Sequence, residues 1–488
     1  MKEKLPKILY ISALVIIFII AVTARLKGYL SIRPIWLDEV YVFVNIESDI
    51  NPFSVLKAYQ IMPPLFLITE RLIYRAFGMH ELVLRFFPLM TSIIAIPLFY
   101  YFSKIFLEKK WSIIAANFLF AINIFLIYFA QECKQYSSDV MWFLLIFIML
   151  NKISIKNLSR NNITTYIALS SLIPFFSTPA YFAVGAWVIR ELLLCRKARE
   201  FLNLAALQLP ASVLTCLYFN FLLKQYSVFI KIFSNVWSDG FITNNLYNNF
   251  KIIENNVKYF FTPNTHYELE IILIIIGLII LVKNFKLKEN MFLIFTICFM
   301  LLFSYLKIYP FEKRIILYAI PIAIVLAAKL LDYISLNKKL LSLIITTGFL
   351  YAFSGYEINY IAKCYTEYAT NARFKEVPPN SKELVRTLAS EYKPTDTVVC
   401  NKWSRPEYYY YSKYYNFNPN KVHYLYLYFT NPERIKKFKQ GKYWLVFTRE
   451  YNKELKYSDS NYIEFCKNFK ILSIRDFNSA HLIYAEKE

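Results

Sequence analysis

The chain has 488 residues, of which 57% are hydrophobic and only 18% are charged. Soluble domains carry about a quarter charged residues, so this composition excludes an ordinary soluble protein. The net charge of +22 does not indicate a nucleic-acid-binding protein, because much of the basic excess lies in short loops between apolar stretches, as cytoplasmic loops require. The composition therefore indicates a membrane protein.

Apolar stretches recur along about the first 360 residues. A helix needs roughly 20 residues to cross a hydrocarbon core of about 30 Å, and continuous stretches indicate helices rather than a barrel. With a cytoplasmic N-terminus and a retained first segment, the basic loops all fall on the cytoplasmic side. The predicted spans, about eleven in number, are 8–26, 82–102, 112–129, 138–151, 163–177, 180–195, 201–223, 270–282, 291–306, 314–332 and 338–357.

The topology divides the chain into two predicted domains. A polytopic transmembrane domain covers 1–358, with outer loops at 27–81 and 224–268, and an extracytoplasmic α/β domain covers 359–488. Within the first outer loop, PPLFLITERLIYRAFG (63–78) has apolar residues at helical spacing but is too charged to span. It predicts an amphipathic helix lying at the membrane interface, preceded by a second around 51–60.

The C-terminal part contains shorter apolar runs. Strands are predicted at TDTVVC, VHYLYLYF, KYWLVFTRE and AHLIYAEK, and a helix is predicted to start at SRPE, where Ser404 precedes a proline and Glu407 follows three residues later. The tyrosine run 408–411 is interpreted as domain packing rather than as a platform for sugars. A disulfide among Cys364, Cys400 and Cys466 is left open.

Charged residues stand beside the span ends on the predicted outer face. Ionisable residues near a membrane are costly and usually face a cavity or a partner. Acidic and basic groups beside a lipid-accessible surface suit a reaction on a lipid-linked phosphate. These residues are Asp38, Glu39, Glu132, Lys134, Lys313 and Arg314.

The order of these motifs resembles the membrane glycosyltransferases of the protein O-mannosyltransferase and aminoarabinose-transferase type, which have the GT-C architecture. One departure is Lys134, where that family usually has an arginine that can grip phosphate with two hydrogen bonds. The resemblance covers roughly residues 1–330. The matching motifs are Asp38-Glu39, Pro63-Pro64-Leu65, Arg85, the segment Gln131-Glu132-Cys133-Lys134-Gln135-Tyr136, and Lys313-Arg314.

The resemblance implies transfer of a sugar from a polyprenyl-phosphate donor to an extracytoplasmic glycan, lipid or protein, by inverting direct displacement. The leaving group is already a phosphate, so the reaction needs one carboxylate to take the acceptor proton and cations to hold the departing charge. Asp38 is the expected general base, and Glu39 orients the acceptor or binds a metal.

The remaining site residues are expected to contact the donor or the acceptor. A divalent cation (Mg, Mn or Zn) could be held by Asp38, Glu39 and Glu132. Arg85 has the alternative role of reaching lipid headgroups, and Lys313 and Arg314 that of anchoring a span end. The expected phosphate ligands are Arg85, Lys134, Lys313 and Arg314, and the expected substrate contacts are Tyr41, Pro63, Pro64, Glu132 and Tyr136.

The alternatives to this function are a flippase or transporter of lipid-linked sugars and a non-catalytic relative that only binds lipid. A transporter would be expected to show paired hydropathy repeats and broken helices, and neither is visible in the sequence. The expected location is a bacterial plasma membrane, with the active site and the C-terminal domain on the extracytoplasmic side.

Overall fold

The computed structural model describes nine stretches of the chain. They are residues 7–48, 50–54, 56–236, 238–261, 267–333, 380–425, 438–447, 467–477 and 480–487. The chain divides into two compact units. The helical unit comprises Met1–Leu30, Ser48–Arg75 and Arg85–Lys363, and the mixed unit comprises Ser31–Glu47, Ala76–Leu84 and Cys364–Glu488.

The helical unit is built from apolar helices. Their bounds are α1 Lys7–Leu30, α3 Pro64–Phe77, α5 Phe86–Phe106, α6 Lys110–Ile122, α7 Ile124–Phe129, α8 Tyr136–Lys152, α9 Arg160–Leu172, α10 Ala180–Leu194, α11 Ala198–Val236, α12 Leu246–Phe261, α13 Tyr267–Lys283, α14 Lys288–Tyr305 and α15 Ile320–Tyr333. Among the residues that the structure describes, five stretches of helix could cross a membrane by length and composition: Lys7–Leu30, Phe86–Phe106, Ala198–Tyr218, Lys288–Tyr305 and Lys313–Tyr333. Each coincides with a predicted span. The span predicted at 338–357 lies outside the described residues.

One predicted span in the helical unit needs correction. The span predicted at 112–129 is broken at Asn123, whose Oδ1 accepts from Leu126 N at 3.1 Å and caps α7. Within the predicted outer loop 224–268, α11 continues to Val236 and α12 follows. Helix α12 buries Ile252, Val257 and Phe260 at helical spacing, a periodicity hidden by its many asparagines.

The amphipathic helix predicted at 63–78 is present as α3. It begins at Pro64, since the fixed φ of proline suits the first helical position, and it ends before Gly78, whose φ of +81° terminates the helix. The helix expected around 51–60 is only a single 3-10 turn, Lys57–Tyr59.

The mixed unit contains a five-stranded sheet in the order β2-β1-β3-β5-β4. Its strands are β1 Thr397–Asn401, β2 Val422–Leu425, β3 Gly441–Phe447, β4 Lys470–Asp476 and β5 His481–Lys487, and its helices are α2 Leu37–Glu47, α4 Glu81–Leu84, α16 Ser381–Glu391 and α17 Arg405–Tyr414. Strand β1 pairs in parallel with β2 and β3, whereas β5 is antiparallel to β3 and β4. Strand β4 was not expected from the sequence, whereas the four predicted strands are all present.

Helix α17 begins directly after Ser404, where the SRPE motif predicts a helix start, but the Ser404 side chain makes no capping hydrogen bond. The mixed unit also contains residues from the first predicted outer loop, including all of α2. The predicted domain boundary near residue 358 lies outside the described residues. Cys400 is a buried free thiol, and Cys364 and Cys466 are likewise outside the described part.

Candidate functional site

In the helical unit, the loop between α7 and α8 carries the QECKQY motif. Gln131, Glu132 and Lys134 have only 6%, 0% and 6% of their surface exposed. Burial of charged side chains is costly unless they are paired or functional. The loop is therefore packed inside the helical unit and is not a solvent-exposed connection.

The loop is tied to the segment that precedes α3. Lys134 Nζ donates to Gln60 Oε1 at 2.5 Å, and Gln135 Nε2 donates to the carbonyl of Ile61 at 3.3 Å. Pro63 and Pro64 are buried directly after this segment, and the Pro63 carbonyl accepts from Leu67 N at 3.2 Å. The two prolines therefore start α3 and hold the strand-like segment against the loop.

Arg314 reaches the same loop from a distant part of the sequence. It lies at the start of the 3-10 helix Lys313–Ala319, and its guanidinium carbon is 5.7 Å from the centroid of the Tyr136 ring. A guanidinium over a tyrosine face is attracted by the ring quadrupole. The structure thus brings Lys134, Tyr136 and Arg314 to one end of α8.

Lys313 has a different environment from its neighbour. Its ammonium lies 3.0 Å from Glu312 and is 43% exposed, and its backbone N donates to Asn256 Oδ1 at 2.5 Å. Its φ of +42° is a left-handed conformation that non-glycine residues rarely adopt. Lys313 therefore shapes the turn that presents Arg314.

Arg85 is 1% exposed and precedes α5. This burial rules out a side chain that extends freely to headgroups. Arg85 acts electrostatically on the Tyr29 hydroxyl at the end of α1. It is therefore a buried charge of the helical unit, and its role toward phosphate stays a prediction.

The expected acidic pair lies in the first turn of α2, in the mixed unit. Glu39 is fully buried, and its Oε2 accepts from Trp36 N at 3.4 Å. This contact closes the start of its own helix, as an acidic residue in a capping position does. Asp38 is half-buried, and Tyr41 follows one turn later with intermediate exposure. Of the two carboxylates, Asp38 is the more accessible.

A divalent cation fits these residues poorly. Glu39 is engaged by its own helix start, and no group of three His, Cys, Asp or Glu side chains within the described ranges could hold a metal ion.

The tyrosine run packs against the helix that carries Asp38. Tyr411 OH accepts from Ile35 N at 2.7 Å, and the Tyr410 ring meets Phe43 edge-on at 4.9 Å. Tyr409 OH donates to Glu47 Oε2 at 2.9 Å, and Lys413 forms an ion pair with the same carboxylate. The run is thus a packing element, as the sequence suggested, and it fixes both ends of α2.

Several buried polar residues were missed by the sequence reasoning. Asp139 is 3% exposed in α8, and Glu70 is 1% exposed in α3. Burial raises the pKa of the Glu70 carboxyl well above its usual value. Asp139 had a readable signal, because a carboxyl inside a predicted span is by default a functional candidate.

No protein-family model matches this sequence, and no curated protein matches it. Among solved structures, ArnT from Cupriavidus metallidurans in the apo state is similar over 96% of this chain and 97% of that chain, with a TM-score of 0.53 and 11% identity. The same protein bound to undecaprenyl phosphate is similar over 98% and 97%, with a TM-score of 0.50 and 11% identity.

The oligosaccharyltransferase from Archaeoglobus fulgidus, in complex with Zn and sulfate, is similar over 84% of this chain with a TM-score of 0.50 and 13% identity. The likeness spans 62% of that longer protein. At these identities the likeness concerns the fold alone. The chain has the GT-C fold of membrane proteins, as its ordered motifs implied.

Proposed function

We propose that this protein is a glycosyltransferase that moves a sugar from a polyprenyl-phosphate donor to an extracytoplasmic acceptor. The observation that carries the proposal is the position of the Arg314 guanidinium, 5.7 Å from the centroid of the Tyr136 ring at the start of α8 and two residues in sequence from Lys134. Two cations from distant sequence positions suit a phosphate, and the same fold in ArnT binds undecaprenyl phosphate.

The proposed reaction is a single displacement with inversion at the anomeric carbon. The acceptor oxygen forms the new glycosidic bond, the bond from the anomeric carbon to the phosphate oxygen breaks, and polyprenyl phosphate leaves. Asp38 takes the acceptor proton as general base. Arg314 and Lys134 neutralise the charge that grows on the phosphate, and such stabilisation is usually the largest contribution to catalysis.

The other site residues have supporting roles in this proposal. Glu39 closes the start of α2 and so orients Asp38, and Lys313 shapes the turn before Arg314. Arg85 remains a proposed phosphate contact, and Tyr41 a proposed sugar contact. The proposed reaction uses no divalent cation, and equal rates of transfer with and without EDTA are expected.

The acceptor is a glycan, a lipid or a protein outside the cytoplasm, and the proposed location is a bacterial plasma membrane with the C-terminal residues on the outer side. Protease accessibility of the C-terminal residues in intact spheroplasts tests this orientation. Cleavage only after lysis would contradict it.

Purified protein in nanodiscs, supplied with undecaprenyl-phosphate sugars and cell-envelope acceptors, tests the function. Asp38→Asn is expected to lower transfer by about 10²- to 10⁴-fold, the usual contribution of a general base, while donor binding is retained. Glu108→Gln is the matched control, because Glu108 is an exposed carboxyl outside the site.

Full transfer by Asp38→Asn would refute the assignment of the base. The wild-type protein is also reconstituted into sealed vesicles. Movement of lipid-linked sugar across the vesicle membrane, without any transfer, would instead support the transporter alternative. Failure of the wild type to bind undecaprenyl phosphate would refute the donor class.

A further inference from the structure

A group of buried polar side chains lies in the helical unit beyond the residues already assigned. We define the hydroxyl cluster as Asp139, Ser177, Tyr218, Tyr309 and Tyr318. The Asp139 carboxyl acts electrostatically on all three tyrosine hydroxyls, and Ser177 faces it. Four of the five residues are at least nine-tenths buried: Asp139, Ser177, Tyr218 and Tyr318.

Two atoms of the cluster lack a hydrogen-bond partner. Asp139 Oδ1 and Tyr318 OH are buried and have no partner among the residues that the structure describes. Each unsatisfied buried polar group costs about 1–3 kcal/mol, and native proteins retain few of them. Their concentration around one carboxyl indicates that they are arranged to meet hydrogen-bonding groups of a ligand.

The partnered members of the cluster keep hydrogen-bonding capacity too. Tyr218 OH lies 3.2 Å from Thr178 Oγ1, and Tyr309 OH donates to the carbonyl of Ile315 at 3.0 Å. A phenol that donates one bond can still accept another. The cluster therefore offers a carboxylate and several hydroxyls at once.

Aromatic rings border the same carboxyl. Trp142 lies one turn after Asp139 on the same face of α8, and its indole Nε1 has no partner within the described ranges. Its ring stacks on Phe176 with 4.6 Å between centroids, and Phe176 precedes Ser177. Convergent polar groups set in an aromatic wall are typical of small-molecule sites.

The position of the cluster follows from two elements that run side by side. Arg314 lies over Tyr136 at 5.7 Å, and further along both elements the Tyr318 ring is 5.5 Å from Phe143. Asp139 lies one helical turn beyond Tyr136, which is about 5 Å along the axis. The cluster is thus one turn away from the cation that is proposed to hold the donor phosphate.

We propose that the hydroxyl cluster binds the sugar of the lipid-linked donor, with Asp139 accepting from sugar hydroxyls and Tyr318 donating to them. This inference rests on the proposed function, and it assigns the sugar of the donor to the hydroxyl cluster and the phosphate to Arg314 and Lys134. A cation is a poorer occupant, because the cluster has a single carboxyl and no group of three His, Cys, Asp or Glu side chains in the described part of the chain could hold a metal ion.

The test compares two kinds of lipid by native mass spectrometry of the full chain in nanodiscs. The first is undecaprenyl phosphate without a sugar. The second is a panel of undecaprenyl phosphates that carry a neutral hexose or an amino sugar. Asp139→Asn and Tyr318→Phe are each expected to weaken binding of the best sugar-bearing lipid by about 3- to 10-fold, the loss of one hydrogen bond, and to leave undecaprenyl phosphate unaffected.

Two further variants complete the comparison. Arg314→Gln is expected to weaken both lipids, since it removes the phosphate contact. Tyr305→Phe is the matched control, because Tyr305 is 47% exposed and lies outside the cluster, and it should change neither lipid.

The outcomes separate the two proposals. If the wild type bound neither lipid, the proposed function would fall and this inference with it. If the wild type bound both, but the cluster variants weakened both lipids equally or neither, only the inference would fall. Sugar-bearing lipids that bind the wild type no better than undecaprenyl phosphate would also overturn it.

Discussion

Removing one hydroxyl from the mixed unit should loosen the helix that carries Asp38. Tyr411 OH accepts from Ile35 N at 2.7 Å and lies 3.4 Å from Glu81 Oε1, and both Tyr411 and Ile35 are almost completely buried. Tyr411→Phe leaves the Ile35 N–H without its acceptor in a site that water does not reach. Glu81 retains its ion pair with Lys382 at 2.8 Å.

The expected cost is therefore that of one orphaned buried donor, about 2 kcal/mol. Since each 1.4 kcal/mol changes an equilibrium constant by a factor of ten, the equilibrium constant for local opening of the 35–47 segment should rise by roughly 30-fold. Transfer should fall through kcat, and the affinity for the lipid donor should stay unchanged because the proposed phosphate ligands lie in the helical unit.

The assay is hydrogen exchange of the 35–47 amides, measured together with kcat and donor binding. Tyr409→Phe is the graded control: its hydroxyl bonds Glu47 at 2.9 Å, but Tyr409 is 42% exposed, so the loss should be below about 1 kcal/mol. Unchanged exchange at 35–47 in Tyr411→Phe would refute the reasoning.

Two stability predictions concern the helical unit. Burial raises the pKa of Glu70 above its unfolded value, so folding favours the protonated form. Stability therefore falls as the pH rises from the unfolded pKa to the folded pKa. Glu70→Gln should raise Tm at pH 8 but not near pH 4, and an equal change in Tm at both pH values would contradict this. Asp332 accepts from Lys109 N at 2.8 Å and from Ser112 Oγ at 2.9 Å at the start of α6. Asp332→Ala should therefore cost about 2 kcal/mol in a detergent unfolding titration, and Asp332→Asn, which keeps an acceptor, should cost less; equal losses would argue against the capping role.

The parts of the fold that the sequence predicts are those with a strong local signal. Lys7–Leu30 and Phe86–Phe106 are continuous apolar helices, and their length alone marks them as candidate spans. Strand β4 had no such signal, because it lies at the edge of the sheet and exposes most of its residues. An edge strand that buries neither face completely can fold without alternating apolar residues in its sequence.

The candidate site shows the same limit. The sequence predicted Lys134, Tyr136 and Arg314 as site residues. The structure places the Arg314 guanidinium over the Tyr136 ring, two residues from Lys134, and their role in binding stays a prediction. The sequence could not indicate that Ile35 would contact Tyr411, which lies 376 positions away. This contact joins the first predicted outer loop to the C-terminal residues. Such a pairing depends on tertiary packing, which no local pattern encodes. Asp139 was readable as a carboxyl inside a span, but its hydroxyl partners come from four separate elements.

The proposed donor ligands and the proposed base lie in different units, which has a consequence for kinetic experiments. The proposed donor ligands Lys134 and Arg314, with the hydroxyl cluster, belong to the helical unit, whereas the proposed base Asp38 belongs to the mixed unit. Donor recognition and proton removal are then supported by different cores. A change in the mixed unit that spares folding should lower kcat without altering donor affinity, and a change in the hydroxyl cluster should alter donor affinity first. Because interactions that strengthen only in the transition state raise kcat and uniform binding lowers KM, the two kinds of variant separate in a single kinetic experiment.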